Sequence, residues 1–136
     1  MRLVESKKLL LSFIFVFSLF SPSLLLFAQD KNPKKDNPKP LVTFIELGSV
    51  NCIPCKKMQP IMKSIEKKYG SQIKVIFYDV WKPEHKQYAK IYNIRVIPTQ
   101  VFLDKDEKEF FRHEGFFPEE EIDKILQKRG LKPINK

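Results

Sequence analysis

Two cysteines occur in the 136-residue sequence, Cys52 and Cys55, with Ile53 and Pro54 between them. As a permanent staple such a pair would close a very short loop and remove little entropy from the unfolded chain. The spacing suits a dithiol that opens and closes. A structural zinc site normally takes four ligands, and the two histidines, His85 and His113, have no ligand-like spacing to the cysteines. A transient copper site on two thiolates is chemically possible, so a copper-binding thiol chaperone stays open as an alternative. The chemistry that fits best is thiol–disulfide exchange. Cys52 falls where a helix begins, with Ser49 or Asn51 placed to cap it and Pro54 suited to its first turn. A helix N-terminus stabilises a thiolate through its dipole and free N–H groups, and the thiolate is the attacking species. Lys56 adds favourable charge. Cys55 lies one turn further in and can resolve the mixed disulfide that Cys52 forms. Whether such a dithiol reduces or oxidises depends on thiolate stability in the reduced form, so a dithiol oxidase is the other alternative.

The elements that position this pair follow from hydrophobic pattern. Leu41 to Leu47 is apolar on both faces and rich in β-branched residues, which predicts a buried central strand broken by Gly48 and Ser49. Met58, Ile61, Met62, Ile65 and Tyr69 recur at helical spacing after the cysteines; Pro60 should kink that helix and Gly70 end it. Ile73 to Val80 predicts a second buried strand. Pro83 to Tyr92 predicts a short helix with Tyr88, Ile91 and Tyr92 facing inward. Thr99 to Leu103 predicts a third strand, hairpinned through a polar turn to an edge strand over Lys108 to Phe116. A last helix opens at Pro118 with Glu119, Glu120 and Glu121, buries Ile122, Ile125 and Leu126, and closes at Lys128, Arg129 and Gly130. The order β-α-β-α-β-β-α implies an α/β fold with a mixed four-stranded sheet and helices on both faces.

Three segments share the chain. In residues 1–28 a basic start precedes the apolar run Leu9 to Phe27, the pattern of a signal peptide ending near Ala28 or of an N-terminal membrane anchor. Either places the rest outside the cytoplasm, in the periplasm or on the outer face of the membrane. No cysteine sits near the end of the run, which excludes a bacterial lipoprotein anchor. Residues 29–40 read QDKNPKKDNPKP, a solvated linker without an apolar residue. Residues 41–136 form the domain. The net charge of +9 is scattered, with no basic stripe of interleaved aromatics, so nucleic-acid binding has little support. A monomer is the default expectation.

From Leu41 to Arg129 the chain resembles the thioredoxin family. Cys52-Ile-Pro-Cys55-Lys56 is followed by Pro60, where thioredoxins have a helix kink, and Tyr92-Asn-Ile-Arg-Val-Ile-Pro-Thr99 is similar to the segment carrying the family's cis-proline. The resemblance implies a cis Ile97–Pro98 bond facing the dithiol. It also implies a substrate-docking surface of Ile97, Pro98 and Thr99 beside Ile53 and Pro54, and a glycine near the site at Gly115. It implies a buried proton-shuttling acid at Glu46, six residues before Cys52; burial raises a carboxyl's pKa and suits it to general acid–base work. The redox-active Cys52–Cys55 disulfide would be the only redox group, with no separate cofactor and no metal. Departures stand beside these matches. Asn51 replaces a tryptophan, Ile53 a glycine, and the lysine that partners the family's acid has no counterpart, the strand offering Val75 or Phe77. The usual first strand and helix are replaced by the linker. Trp81 has no assigned place. Glu46-Leu-Gly-Ser, Ile97-Pro-Thr-Gln and His113-Glu-Gly-Phe look like exported bacterial thioredoxins linked to membrane electron carriers of the CcdA/DsbD type. That likeness implies disulfide-bearing exported clients, apocytochrome c among them, and a membrane electron donor.

Overall fold

A computed structural model describes residues 38–134; the proposed leader and most of the linker lie outside the described residues. The elements are β1 (Val42–Gly48), α1 (Ile53–Tyr69), a 3-10 turn (Gly70–Gln72), β2 (Ile73–Asp79), α2 (Lys86–Ile91), β3 (Thr99–Asp104), β4 (Glu109–Glu114) and α3 (Glu119–Lys128). The sheet order is β2-β1-β3-β4. β1 pairs parallel with β2, in register Val42 with Ile73, while β1–β3 and β3–β4 are antiparallel. This is the expected mixed four-stranded α/β sheet.

Strand alternation splits the core in two. Val42, Phe44 and Phe102 point to the side covered by α1 and α3, where Met58, Met62, Ile65, Tyr69, Ile122 and Leu126 meet them. Phe44 and Phe102, paired in register, stack at 4.6 Å. Ile45, Leu47 and Val101 point the other way, against Tyr88 and Ala89 of α2. Lys68 of α1 bonds Asp123 of α3 at 2.7 Å, and the buried Tyr69 hydroxyl donates to the same carboxylate at 2.9 Å. These bonds fix α3 across α1.

Four expectations need correction. β2 is an edge strand, so its middle is half-buried, not fully buried. α2 starts at Lys86, because Lys82 and Pro83 are taken up in a turn whose Lys82 carbonyl accepts from His85 and Lys86. Ile91 is 63% exposed. Tyr88 and Tyr92, one turn apart, stack on Tyr78 and define the inner face of α2, which leaves Ile91 off it. Finally, neither Ser49 nor Asn51 caps α1. Cys52 does, its Sγ accepting the Cys55 N–H at 3.4 Å, while Ser49 Oγ takes the Asn51 N–H.

Candidate active site

Four chain segments converge at one end of the sheet. β1 ends there and leads through Ser49 to Cys52; β2 ends there at Asp79; β3 begins there after Pro98; β4 ends there at Glu114, before Gly115. Two backbone bonds and one from a side-chain hydroxyl lock them together. Val80 N donates to Gly48 O at 2.9 Å, Gly115 N to Pro98 O at 2.8 Å, and Thr99 Oγ1 to Val96 O at 2.7 Å.

Cys52 and Cys55 are joined as a disulfide, with α-carbons 5.2 Å apart. The two sulfurs have unequal surroundings. Cys52, at the helix cap, keeps 9% of its surface accessible, and Cys55 keeps none. Ile53 (72% exposed) and Pro54 stand on the surface between them. Gly48 makes the burial of Cys55 possible: a β-carbon there would lie 3.1 Å from Cys55 Sγ and 3.3 Å from the Phe77 ring.

Glu46 is fully buried two residues earlier on the same strand face as Gly48. Its register neighbours are Phe77 and Gln100, so no cation faces it across the sheet. Neither carboxyl oxygen has a hydrogen-bond partner. Desolvation pushes its pKa up to about 8, with the Gln100 amide opposing weakly.

The Ile97–Pro98 bond is cis, as the resemblance implied. Among the described residues the N–H and C=O of Ile97 pair with no other backbone group, whereas Pro98 and Thr99 are buried. Beside this loop lies an open groove of about 350 Å³, lined among others by Trp81, Lys86, Ile94, Arg95, Val96 and Ile97. Trp81 is 61% exposed there.

Three residues at this end were not legible as site residues. Asp79 is buried, and its carboxylate accepts from Val50 N at 3.3 Å and Trp81 N at 3.2 Å, tying the cysteine loop to the Trp81 loop. Gln100 opposes Glu46. Trp81 rims the groove. A strand-terminal Asp followed by Trp was the one available signal for the first and last; nothing in the pattern marked Gln100.

The fold and the buried dithiol define a class, the thioredoxin-like thiol–disulfide oxidoreductases. The chain belongs to the thioredoxin-like domain family, which it matches over residues 26–130. It is 30% identical to thioredoxin of Bacillus subtilis over 77 residues, 57% of this chain and 71% of that protein. It is 39% identical to thioredoxin-1 of Drosophila melanogaster over 57 residues, 42% of this chain and 51% of that one. The crystal structure of the germline thioredoxin Deadhead from Drosophila superposes with a TM-score of 0.58 at 27% identity, covering 68% of this chain and 83% of that one. Chloroplastic thioredoxin z superposes at 0.60 with 22% identity, over 68% and 80% of the two chains, a likeness of fold.

Proposed function

We propose that the protein reduces disulfides of exported client proteins. The observation that carries this reading is the asymmetry of the pair: Cys52 at the helix cap reaches the surface, while Cys55 is sealed behind it next to a strand holding a buried, unpartnered acid. Reduced Cys52, stabilised as thiolate by the Cys55 N–H and the helix dipole, attacks one sulfur of the client disulfide. A mixed disulfide forms and the client's other sulfur leaves as thiolate. Glu46, as carboxylate, then takes the Cys55 proton, directly or through water. The Cys55 thiolate attacks Cys52 Sγ, the bond to the client breaks, and the Cys52–Cys55 disulfide closes. The free backbone groups of Ile97 pair with an extended client strand held by Pro98 and Thr99, and Ile53, Pro54 and the Trp81 groove contact its side chains.

The proposed reaction uses no redox cofactor besides the Cys52–Cys55 pair. Re-reduction by a membrane donor of the CcdA/DsbD type, a location outside the cytoplasm and tethering by residues 9–28 complete the proposal, with the protein acting as a monomer. They rest on the apolar leader, the lysine-rich linker and the family resemblance. Among the described residues no helix is long and apolar enough to cross a membrane.

Single-turnover reduction of a disulfide-bearing protein by the pre-reduced chain tests the order of attack. Cys55→Ser is expected to accumulate a covalent Cys52–client complex, and Cys52→Ser to form none. Equal trapping by both variants would overturn the assignment.

A further inference from the structure

Helix α1 turns one face to the sheet and the opposite face to solvent. Met58, Met62, Ile65 and Tyr69 are buried, while Lys56, Lys63 and Lys67 are exposed. At about 100° per residue these three lysines fall within roughly 40° of one another, on the side away from the core. They form a row of roughly 16 Å along the helix. Helix electrostatics oppose the arrangement. Lys63 and Lys67 stand four apart, a like-charged pair that destabilises a helix. Lys56 ends a first turn that has no acidic residue, near the positive end of the helix dipole. Among the described residues no carboxylate pairs with any of the three, whereas Lys68, on the flank, is held by Glu119 and Asp123. An anion placed along the row would relieve both penalties.

We infer that this row is a docking face for an anionic phospholipid surface, along which α1 lies lengthwise. Charge complementarity selects the partner's sign. No aromatic side chain interleaves with the lysines, so the row has no stacking platform for nucleic acid. The place of the linker selects lipid over an acidic protein. Pro38 and Pro40 line a recess with Glu66 of α1, Ser71 and Lys74, so the lysine-rich linker joins the domain beside the C-terminal half of the row. From Pro38 back to residue 28 the chain can extend at most about 35 Å. The inference deepens the proposed tethering and rests on it for proximity, since a domain tied that closely meets headgroups before any soluble partner. Each lysine at an anionic surface favours contact about fivefold, and three in one row give on the order of a hundredfold.

The docked orientation bears on the dithiol. Cys52 caps the same helix about one turn before Lys56, and Ile53, 72% exposed, stands at the leading end of the row. A helix lying along the surface therefore holds the reactive cysteine at headgroup level, where the proposed membrane donor would present its own dithiol. The Trp81 groove, lined by Lys86 and Ala89 of α2, opens on the other side of the sheet and stays free for clients.

Amine acylation of the full chain, read lysine by lysine by mass spectrometry, tests this with excess vesicles of phosphatidylcholine, alone or mixed with phosphatidylglycerol. Lys56, Lys63 and Lys67 should react about fivefold or more slowly on the anionic vesicles, and high salt should abolish the difference. The exposed Lys82 and Lys90, on the α2 side, should react equally on both. Equal rates for the row on both vesicles would overturn the inference and leave an acidic protein as the partner of this face. Equal slowing of Lys82 and Lys90 would also overturn it, showing adsorption by net charge alone. Lys63→Glu with Lys67→Glu should restore the Lys56 rate, and the charge-matched Lys82→Glu with Lys90→Glu should not; the reverse would refute the row. Because lipid is in excess, the row is read even where the leader does not insert. Flotation with phosphatidylcholine vesicles reports the tether by itself, and disulfide exchange with a client reports the reductase reading, so failure of either is distinguishable from failure of the row.

Discussion

At the scale of single residues, Glu46 carries a measurable signature. An ordinary glutamate ionises near 4.5 and Glu46 near 8, because burial penalises its charge. Between those values the folded chain holds a proton that the unfolded chain has released. Stability from this site is therefore full below pH 4.5, falls as pH rises towards 8, and is level above it. Glu46→Gln should remove that slope and stabilise the protein above pH 8 by on the order of 3–5 kcal/mol relative to its effect in acid. Denaturant unfolding across this range checks it; a wild-type profile that is flat there would contradict the burial argument. Cys52, Cys55, Pro98 and Glu46 could be picked out from spacing and resemblance, and all lie at one end of the sheet. The role of Cys52 as cap was missed because oxygen-bearing Ser49 and Asn51 looked better suited, yet sulfur in the cap position takes the N–H. Gln100 was missed because a glutamine in a strand reads as an exposed polar position until its cross-strand partner is known.

At the scale of elements, the site depends on how closely α1 approaches β1. Gly48 sets that distance. Gly48→Ala would place a methyl group 3.1 Å from Cys55 Sγ and force the helix start or Phe77 to shift by a few tenths of an ångström. The expected result is a loss of roughly 1–3 kcal/mol, typical of overpacking, together with a more reactive Cys55 in the reduced protein. Unfolding and thiol-alkylation rates measure both, and an unchanged rate with unchanged stability would refute the packing argument. α1, β1, β3 and α3 could be predicted from periodicity, because each buries a clear face against a partner. α2 and β2 could not be bounded as well. α2 is six residues long and its inner face is chosen by tyrosine stacking on Tyr78, a tertiary contact. β2 has the composition of a central strand but sits at the edge, since strand order is a property of topology and not of the segment.

At the scale of the whole molecule, one end of the sheet brings together a reactive sulfur, free backbone groups and an apolar groove with cationic rims at Lys86 and Arg95. Arg95 is shared with Glu114 at 3.0 Å. Trp81, a residue whose place could not be read from pattern alone, marks this groove. Trp81→Ala should lower kcat/KM for a disulfide-bearing protein about tenfold, the order of one exposed aromatic anchor, while leaving reduction of a small aromatic disulfide reagent unchanged. Parallel loss on both substrates would place Trp81 in the chemistry of the dithiol and not in client binding.

The reduction potential of the purified protein, equilibrated against glutathione or dithiothreitol buffers, tests the proposed reductase role most directly. A reductant held in its charged state by a membrane donor should lie near thioredoxin's value, about −270 mV. A value near that of the oxidant DsbA, about −120 mV, would contradict the assignment and make the same dithiol a donor of disulfides.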